Sequence, residues 1–465
     1  MSDRADAGEA CRGAVARANS IDTLHVFGSV MLPTFGKGIF IRRPTMEAAA
    51  ERMGFDTGAV KAMQRLRRKY GAAPLLLAIP GRPQLLLLDA RDVIKVLNGT
   101  PKPFRTDTKE KRAALNHFEP GNVLVSDPAR RAVLRPLHEA ALCTASTVHP
   151  LVSRFHEVIQ DELRPVLRAD VHEIAWATFA NAWFRVVRRI VLGDRARDDE
   201  DLTALLNRLR ARANWAFFLP QDRTGRARLH ERLQRYLIDA ERGSLASMMP
   251  ADARYEPSSQ IAQWLFAFDP AGMTTFRTLA LLACHREFME RAREEALRDQ
   301  PPGEASQSFI RRCVLEALRL WPTTPAILRE TTEDVVWNDD CFIERGTGII
   351  IFTSFFGRDD QRFEFANKMS PDIWRRSQND VLAEFGIVPF SSGPAICPAH
   401  NLVPSVACLA INAVLAEKTL SLIAPKLDPE QLPGTLNHFE IRLSTRAPGS
   451  RQPRLRPDRR VAREA

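Results

Sequence analysis

The chain has 465 residues, 45% of them apolar and 26% charged, and a formal net charge of +10. This composition supports a large folded core and excludes a disordered chain; no apolar run reaches the roughly 18 residues of a membrane anchor, and the charged stretch Met1–Ser20 is no signal peptide, so a cytoplasmic protein without membrane partners is expected. Six arginines between Arg451 and Arg463 carry much of the excess charge, with no aromatic interleaving, which reads as a solvated tail and excludes a nucleic-acid interface.

Along the chain, residues 1–24 read as a polar tail, 25–448 as one domain and 449–465 as an Arg-rich tail. A helix over Thr57–Tyr70 precedes two leucine runs, from Pro74 and from Gln84, that Pro80-Gly81-Arg82-Pro83 splits into a β-hairpin. From Pro128 to about Gln300 the apolar spacing is helical, and Phe309–Trp321 forms a further helix stopped by Pro322. Short strands are expected around Ala326–Val336, Gly346–Thr353 and His438–Leu443, with a helix over Asn401–Leu420. The fold class is mainly α with a smaller β-rich portion. Seven scattered cysteines without C-x-x-C spacing exclude a disulfide framework, and Cys284-His285 lacks the partners a zinc site needs.

The loop from Pro389 to Leu402 delivers Cys397 to the start of an apolar helix, where free N–H groups and the dipole favour a thiolate. A thiolate binds iron strongly and pushes electron density onto it, favouring O–O cleavage. This segment resembles the haem-binding signature of the cytochrome P-450 family: Phe390, Gly393, Cys397 and Ala399 match, and Ala395 stands where the family has an arginine or histidine. The resemblance implies haem b between a long oxygen-site helix and the cysteine-loop helix, with Cys397 as the iron ligand. Phe390 would pack beside the sulfur, and Gly393 would let the loop lie against the porphyrin. The propionate contact missing at Ala395 must come from elsewhere, and His400 would meet the haem edge or solvent.

Other segments match in family order. Glu316 and Arg319 share a helix face and resemble the E-x-x-R pair that locks the haem-side core, with Arg358 or the stretch Phe363–Trp374 as third partner. Arg329, opening a strand, and Arg135, in a form of W/H-x-x-x-R with Arg131 replacing the aromatic, are placed by the resemblance on the propionates. The long helix Ser258–Leu282 resembles A/G-G-x-D/E-T through Ala271, Gly272, Met273, Thr274 and Thr275. Ala271 and Gly272 would leave room for dioxygen beside a turn widened at Pro270, and Thr275 would hold the proton network. Thr274, in the acid position, relays a proton but does not supply one. Asp269 is the nearest carboxylate, either turned inward by the kink or serving as a cap or ion-pair partner.

The resemblance implies a monooxygenase that inserts one atom of dioxygen into an apolar small molecule, in specialised metabolism. Electrons would come from a ferredoxin or flavoprotein, since the chain has no flavin or nicotinamide fingerprint, and a basic surface including Arg130 and Arg131 would suit an acidic donor. Two alternatives stand beside it: a peroxygenase or non-hydroxylating enzyme, suggested by Thr274, and a non-catalytic haem binder. A monomer is expected, with the substrate pocket around Pro103–Val123, Trp215–Phe218 and Ile327.

Overall fold

Gly81, at φ 68°, reverses the chain between Leu75–Leu77 and Gln84–Leu86, which pair antiparallel with Leu76 opposite Leu85. Around this expected hairpin the computed structural model, which describes residues 15–298, 308–338 and 341–446, builds a six-stranded mixed sheet. Its order is Ala16–Arg17, Leu75–Leu77, Gln84–Leu86, Gly348–Phe352, Ala326–Thr331, Phe104–Arg105. The isoleucine run of Gly348–Phe352 is buried at every residue, as a strand paired on both sides and covered on both faces requires. Cys11, residues 1–14 and the Arg-rich tail 449–465 lie outside the described residues.

The polar tail expected over 1–24 is corrected over its described part. Ala16–Arg17 pairs with Leu75–Leu76, and the helix Ser20–Val26 buries Asp22 against Lys69 at 2.5 Å and the Tyr70 hydroxyl at 2.6 Å. Asp22, within the stretch that read as a polar tail, is a buried ion-pair partner.

The helical body follows the three- and four-residue spacing. Asp127 caps Pro128–Ala141 by accepting from the amides of Ala129 and Arg130, and Pro128 sits where its missing N–H costs nothing. Ser308 caps Phe309–Leu320 in the same way, through Arg311 N at 3.0 Å. The apolar Pro257–Cys284 is buried nearly all round and packs against Trp176–Leu192, Phe309–Leu320 and Leu402–Glu417. The helical stretch before residue 300 is interrupted by a strand, Glu173–Ala175, which pairs with Arg442–Arg446. The helix expected to reach Leu420 stops at Glu417, because Thr419–Ala424 pairs with that same strand.

The Glu316–Arg319 pair is fully buried, and its guanidinium and carboxylate meet at 2.6 and 2.9 Å. Its third partner is the Phe363–Trp374 stretch: Arg319 donates to the carbonyls of Ala366 and Lys368, while Glu316 accepts from Ser370 N at 2.7 Å and Trp374 Nε1 at 2.9 Å. Arg358 joins a different set, donating to Asn367 and to the carbonyls of Leu320, Leu432 and Pro433. Both guanidiniums pin loops to the C-terminal end of one helix, which fixes the approach to the cysteine loop.

Candidate active site

Cys397 is carried by a loop whose geometry is set by backbone bonds. Its N–H donates to the Phe390 carbonyl at 2.9 Å, its carbonyl accepts from His400 N at 3.1 Å, and the regular helix opens only at Leu402. The thiol is therefore held by a turn ahead of the helix. Burial pushes its proton affinity up, while the Ala399 amide and the Arg135 charge pull it down. His400 turns its Nδ1 to the Cys397 carbonyl and is absent from the cavity wall.

That wall encloses about 340 Å³, against about 20 Å³ for each of the next two cavities, so one space stands out as the site. Cys397, Phe390, Ala395 and Ala399 form one side, and Gln263, Ala267, Pro270, Ala271 and Thr274 of the long helix form another. Thr106, Lys111, Val123 and Ile327 also line it, as expected for Pro103–Val123 and Ile327. Trp215–Phe218 does not: Trp215 lies under the Arg43 guanidinium, and Phe217 and Phe218 are 66% and 81% exposed.

Three readings of individual residues are corrected. Gly272 faces away from the cavity: a Cβ there would lie 2.6 Å from the Trp183 indole, so its smallness serves helix packing and not dioxygen. Thr275 is 0% exposed, absent from the wall, and donates to the Ala271 carbonyl at 2.8 Å. The threonine that this helix presents to the wall is Thr274, whose hydroxyl donates to the Pro270 carbonyl at 2.9 Å. At 100° per residue, a one-residue difference moves a side chain off the wall. Gly393 has φ 65°, and its Cβ position lies 2.5 Å from the Leu97 carbonyl, so it seats the cysteine loop on the Ala90–Asn98 helix and not on the cavity. Asp269 pairs with Arg210 at 2.5 Å and is absent from the wall, which settles it as an ion-pair partner.

Arg135, Arg329 and Arg131 all reach the wall. Arg135 holds Glu139 at 2.5 Å and the Ile396 carbonyl at 2.7 Å; Arg329, 3% exposed, donates to Thr100 and Ser391; Arg131 donates to the Val123 carbonyl. Lys111 completes the group, and nothing in its local sequence announced it. Burial first, then the charges of Arg329 and Arg131, lower its pKa to about 7, and Arg329 is lowered to about 10 by burial and Arg131. Besides Arg319, which is paired with Glu316, the wall carries Lys111, Arg131, Arg135 and Arg329, and among the described residues it contains no Asp or Glu. Concentrated buried positive charge of this kind calls for an anion.

A haem iron fits these residues: a thiol aimed into a cavity, and cations on a wall to which no carboxylate of the described residues contributes. Lys111 supplies a cation where Ala395 supplies none. Arg130, expected on a donor-facing surface with Arg131, pairs with Glu256 at 2.7 Å, while Arg131 points inward, so neither presents a free basic patch. No helix of the described residues is long and apolar enough to cross a membrane.

The comparisons agree with this geometry. The family model Cytochrome P-450 matches residues 265–416, which include the Thr274 wall, the Glu316–Arg319 pair and Cys397. The chain is 33% identical over 127 residues to Cytochrome P-450 4F3 of Homo sapiens, covering 25% of this chain and 24% of that one. It is 27% identical over 142 residues to Cytochrome P-450 98A8 of Arabidopsis thaliana, covering 30% and 29%. With Probable cytochrome P-450 6d5 of Drosophila melanogaster it shares 28% identity over 184 residues, covering 37% and 36%. The chain thus spans between 24% and 36% of the length of these relatives. The buried E-x-x-R pair and the cysteine facing the cavity both fall in the matched stretch, and over residues 265–416 the chain is similar to the cytochrome P-450 family.

Proposed function

We propose that this chain is a haem-thiolate monooxygenase that inserts one oxygen atom from dioxygen into an apolar small molecule. The observation that carries the reading is the cavity between Cys397 and the Ala271–Thr274 face, with Lys111, Arg131, Arg135 and Arg329 on its wall. Cys397 would hold the iron, and Arg135, Arg329, Arg131 and Lys111 the propionates. The cofactor would be haem b, since the chain lacks the C-x-x-C-H motif of covalent attachment. Bound there, the haem supplies dioxygen activation, and the thiolate tunes it.

The remaining work falls to side chains. Thr274, its proton committed to Pro270, offers oxygen lone pairs to the cavity and can hold a water or accept a proton there. Phe266, Phe268, Leu124 and Ile327 give an apolar lining that excludes bulk water. A ferredoxin or flavoprotein would deliver the electrons.

One observation favours a second reading, in which the same haem uses hydrogen peroxide. No carboxylate lines the cavity among the described residues, and Asp269 is committed to Arg210. The test has two stages. The reduced, CO-bound protein should show the red-shifted Soret band of a thiolate ligand, and Cys397→Ser should lose it. NADH-driven turnover through a surrogate ferredoxin pair is then compared with turnover on peroxide alone, and efficient peroxide-only turnover would replace the first reading with the second.

A further inference from the structure

Gln263 lies eleven residues before Thr274 on the long helix, roughly 16 Å up its axis, and lines the cavity at a level where the 119–124 loop packs against that helix. The packing is fixed by Asn122 Nδ2 on the Ser259 carbonyl at 3.3 Å and Val123 N on Gln260 Oε1 at 3.1 Å. Behind Gln263 lies Glu119, 0% exposed. The carboxamide oxygen of Gln263 faces both carboxyl oxygens, the farther at 3.2 Å.

Two arrangements satisfy this contact. If Glu119 is ionised, the amide turns so that its NH2 donates to the carboxylate and its carbonyl faces the cavity. If Glu119 is protonated, its O–H donates to the Gln263 carbonyl and the NH2 faces the cavity. Surroundings decide between them. Among the described residues Arg210 is the cation acting on Glu119, and its guanidinium is held by Asp269 at 2.5 Å and by Asn207. Burial without a free counter-charge drives the Glu119 carboxyl well above the ordinary carboxylate range.

We infer that Glu119 is a protonated donor that locks Gln263 with its NH2 toward the cavity, and that the site selects an apolar substrate bearing a neutral hydrogen-bond acceptor, a carbonyl or ether oxygen, about three helical turns from the reacting end. This rests on the haem-thiolate reading and adds its substrate class. Phe266, Val123 and Leu124 belong to the same wall, so a substrate without the acceptor leaves the amide unpaired in an apolar space. A carboxylate is disfavoured because the wall cations are already matched to the cofactor's acids.

The experiment uses the haem-loaded full chain and two matched probe pairs, phenylcyclohexane with 4-phenylcyclohexanone and bicyclohexyl with 4-cyclohexylcyclohexanone, titrated by the Soret shift. The ketones should bind at least about tenfold tighter in the wild type. Gln263→Leu should bring the members of each pair within twofold. Glu119→Gln, which keeps an N–H donor to the Gln263 carbonyl, should preserve the preference, and Glu119→Leu should remove it. A ketone preference that survives Gln263→Leu, or equal binding in the wild type, overturns the inference. Independently of any probe, the infrared difference between wild type and Glu119→Gln should contain a protonated-carboxyl C=O stretch; a carboxylate band in its place overturns the inference. A missing thiolate-type Soret band in the reduced, CO-bound wild type condemns the haem reading itself, whereas that band with no ketone preference condemns only the assignment of Gln263.

Discussion

The Trp183 indole occupies the space a Cβ on Gly272 would need, its Nε1 2.6 Å from that position, and donates to the Phe268 carbonyl at 2.8 Å. Phe268 lies two residues before Pro270, in a helix that has lost one of its own N–H donors, so the indole ties down a turn that would otherwise be loose. Gly272→Ala should therefore cost about 1–3 kcal/mol of stability by overpacking. Thermal melts would show it, and Trp183→Phe in the same chain should recover part of the loss, giving a coupling between the two sites.

Thr274 and Thr275 separate cleanly. Thr274→Ala should lower product formed per NADH consumed on the order of a hundredfold, with the reducing equivalents lost as hydrogen peroxide. Thr275→Val should leave that ratio near wild type and cost only the bond to the Ala271 carbonyl, about 1 kcal/mol. Parallel oxygen, peroxide and product assays would distinguish them, and equal loss of coupling in Thr275→Val would refute the placement of the wall threonine.

Lys111 gives a signed pH dependence. The unfolded chain keeps this proton up to its ordinary pKa of 10.5, and the folded, cofactor-free chain releases it near 7. Between those values the unfolded state binds more protons, so the stability of the cofactor-free protein should rise with pH above about 7 and be flat in this respect below it. Lys111→Met should remove the rise. An anion bound beside Lys111 restores its proton, so haem loading at pH 8 should take up a proton in the wild type and not in Lys111→Met, read by calorimetry in two buffers of different ionisation heat.

Glu316→Gln should be far more damaging than any wall substitution. It leaves Arg319 charged in a fully buried site, a defect worth about 3–5 kcal/mol. Chemical denaturation should show the deficit, with low haem content as its consequence, whereas Cys397→Ser should keep the fold.

Local sequence carried what is set locally. The Cys397 loop, the i, i+3 pair of Glu316 and Arg319, and the i, i+4 spacing of Arg131 and Arg135 are each contained in one short segment, so their chemistry could be read directly. The phase of the long helix could not: the two small residues and two threonines around Met273 could each face the cavity until Trp183 claims Gly272 and Thr274 takes the wall. Lys111 was invisible because its desolvation comes from distant segments that bring Arg131 and Arg329 to it. The segment Trp215–Phe218 read as pocket lining, and the seating of Trp215 under Arg43 with Phe217 and Phe218 exposed shows that the chain has turned outward there.

The seat of Gly393 on the Leu97 carbonyl bears on how this protein may be dissected. The family-matching stretch 265–416 contains the cysteine but neither the shelf on which its loop rests nor Lys111, Arg131 and Arg135. Excised, it would be a ligand without a scaffold. Mixed with a separately expressed 1–264 fragment, it should regain its cofactor only if the two reassemble, which makes cofactor uptake a direct reporter of fragment complementation across that shelf.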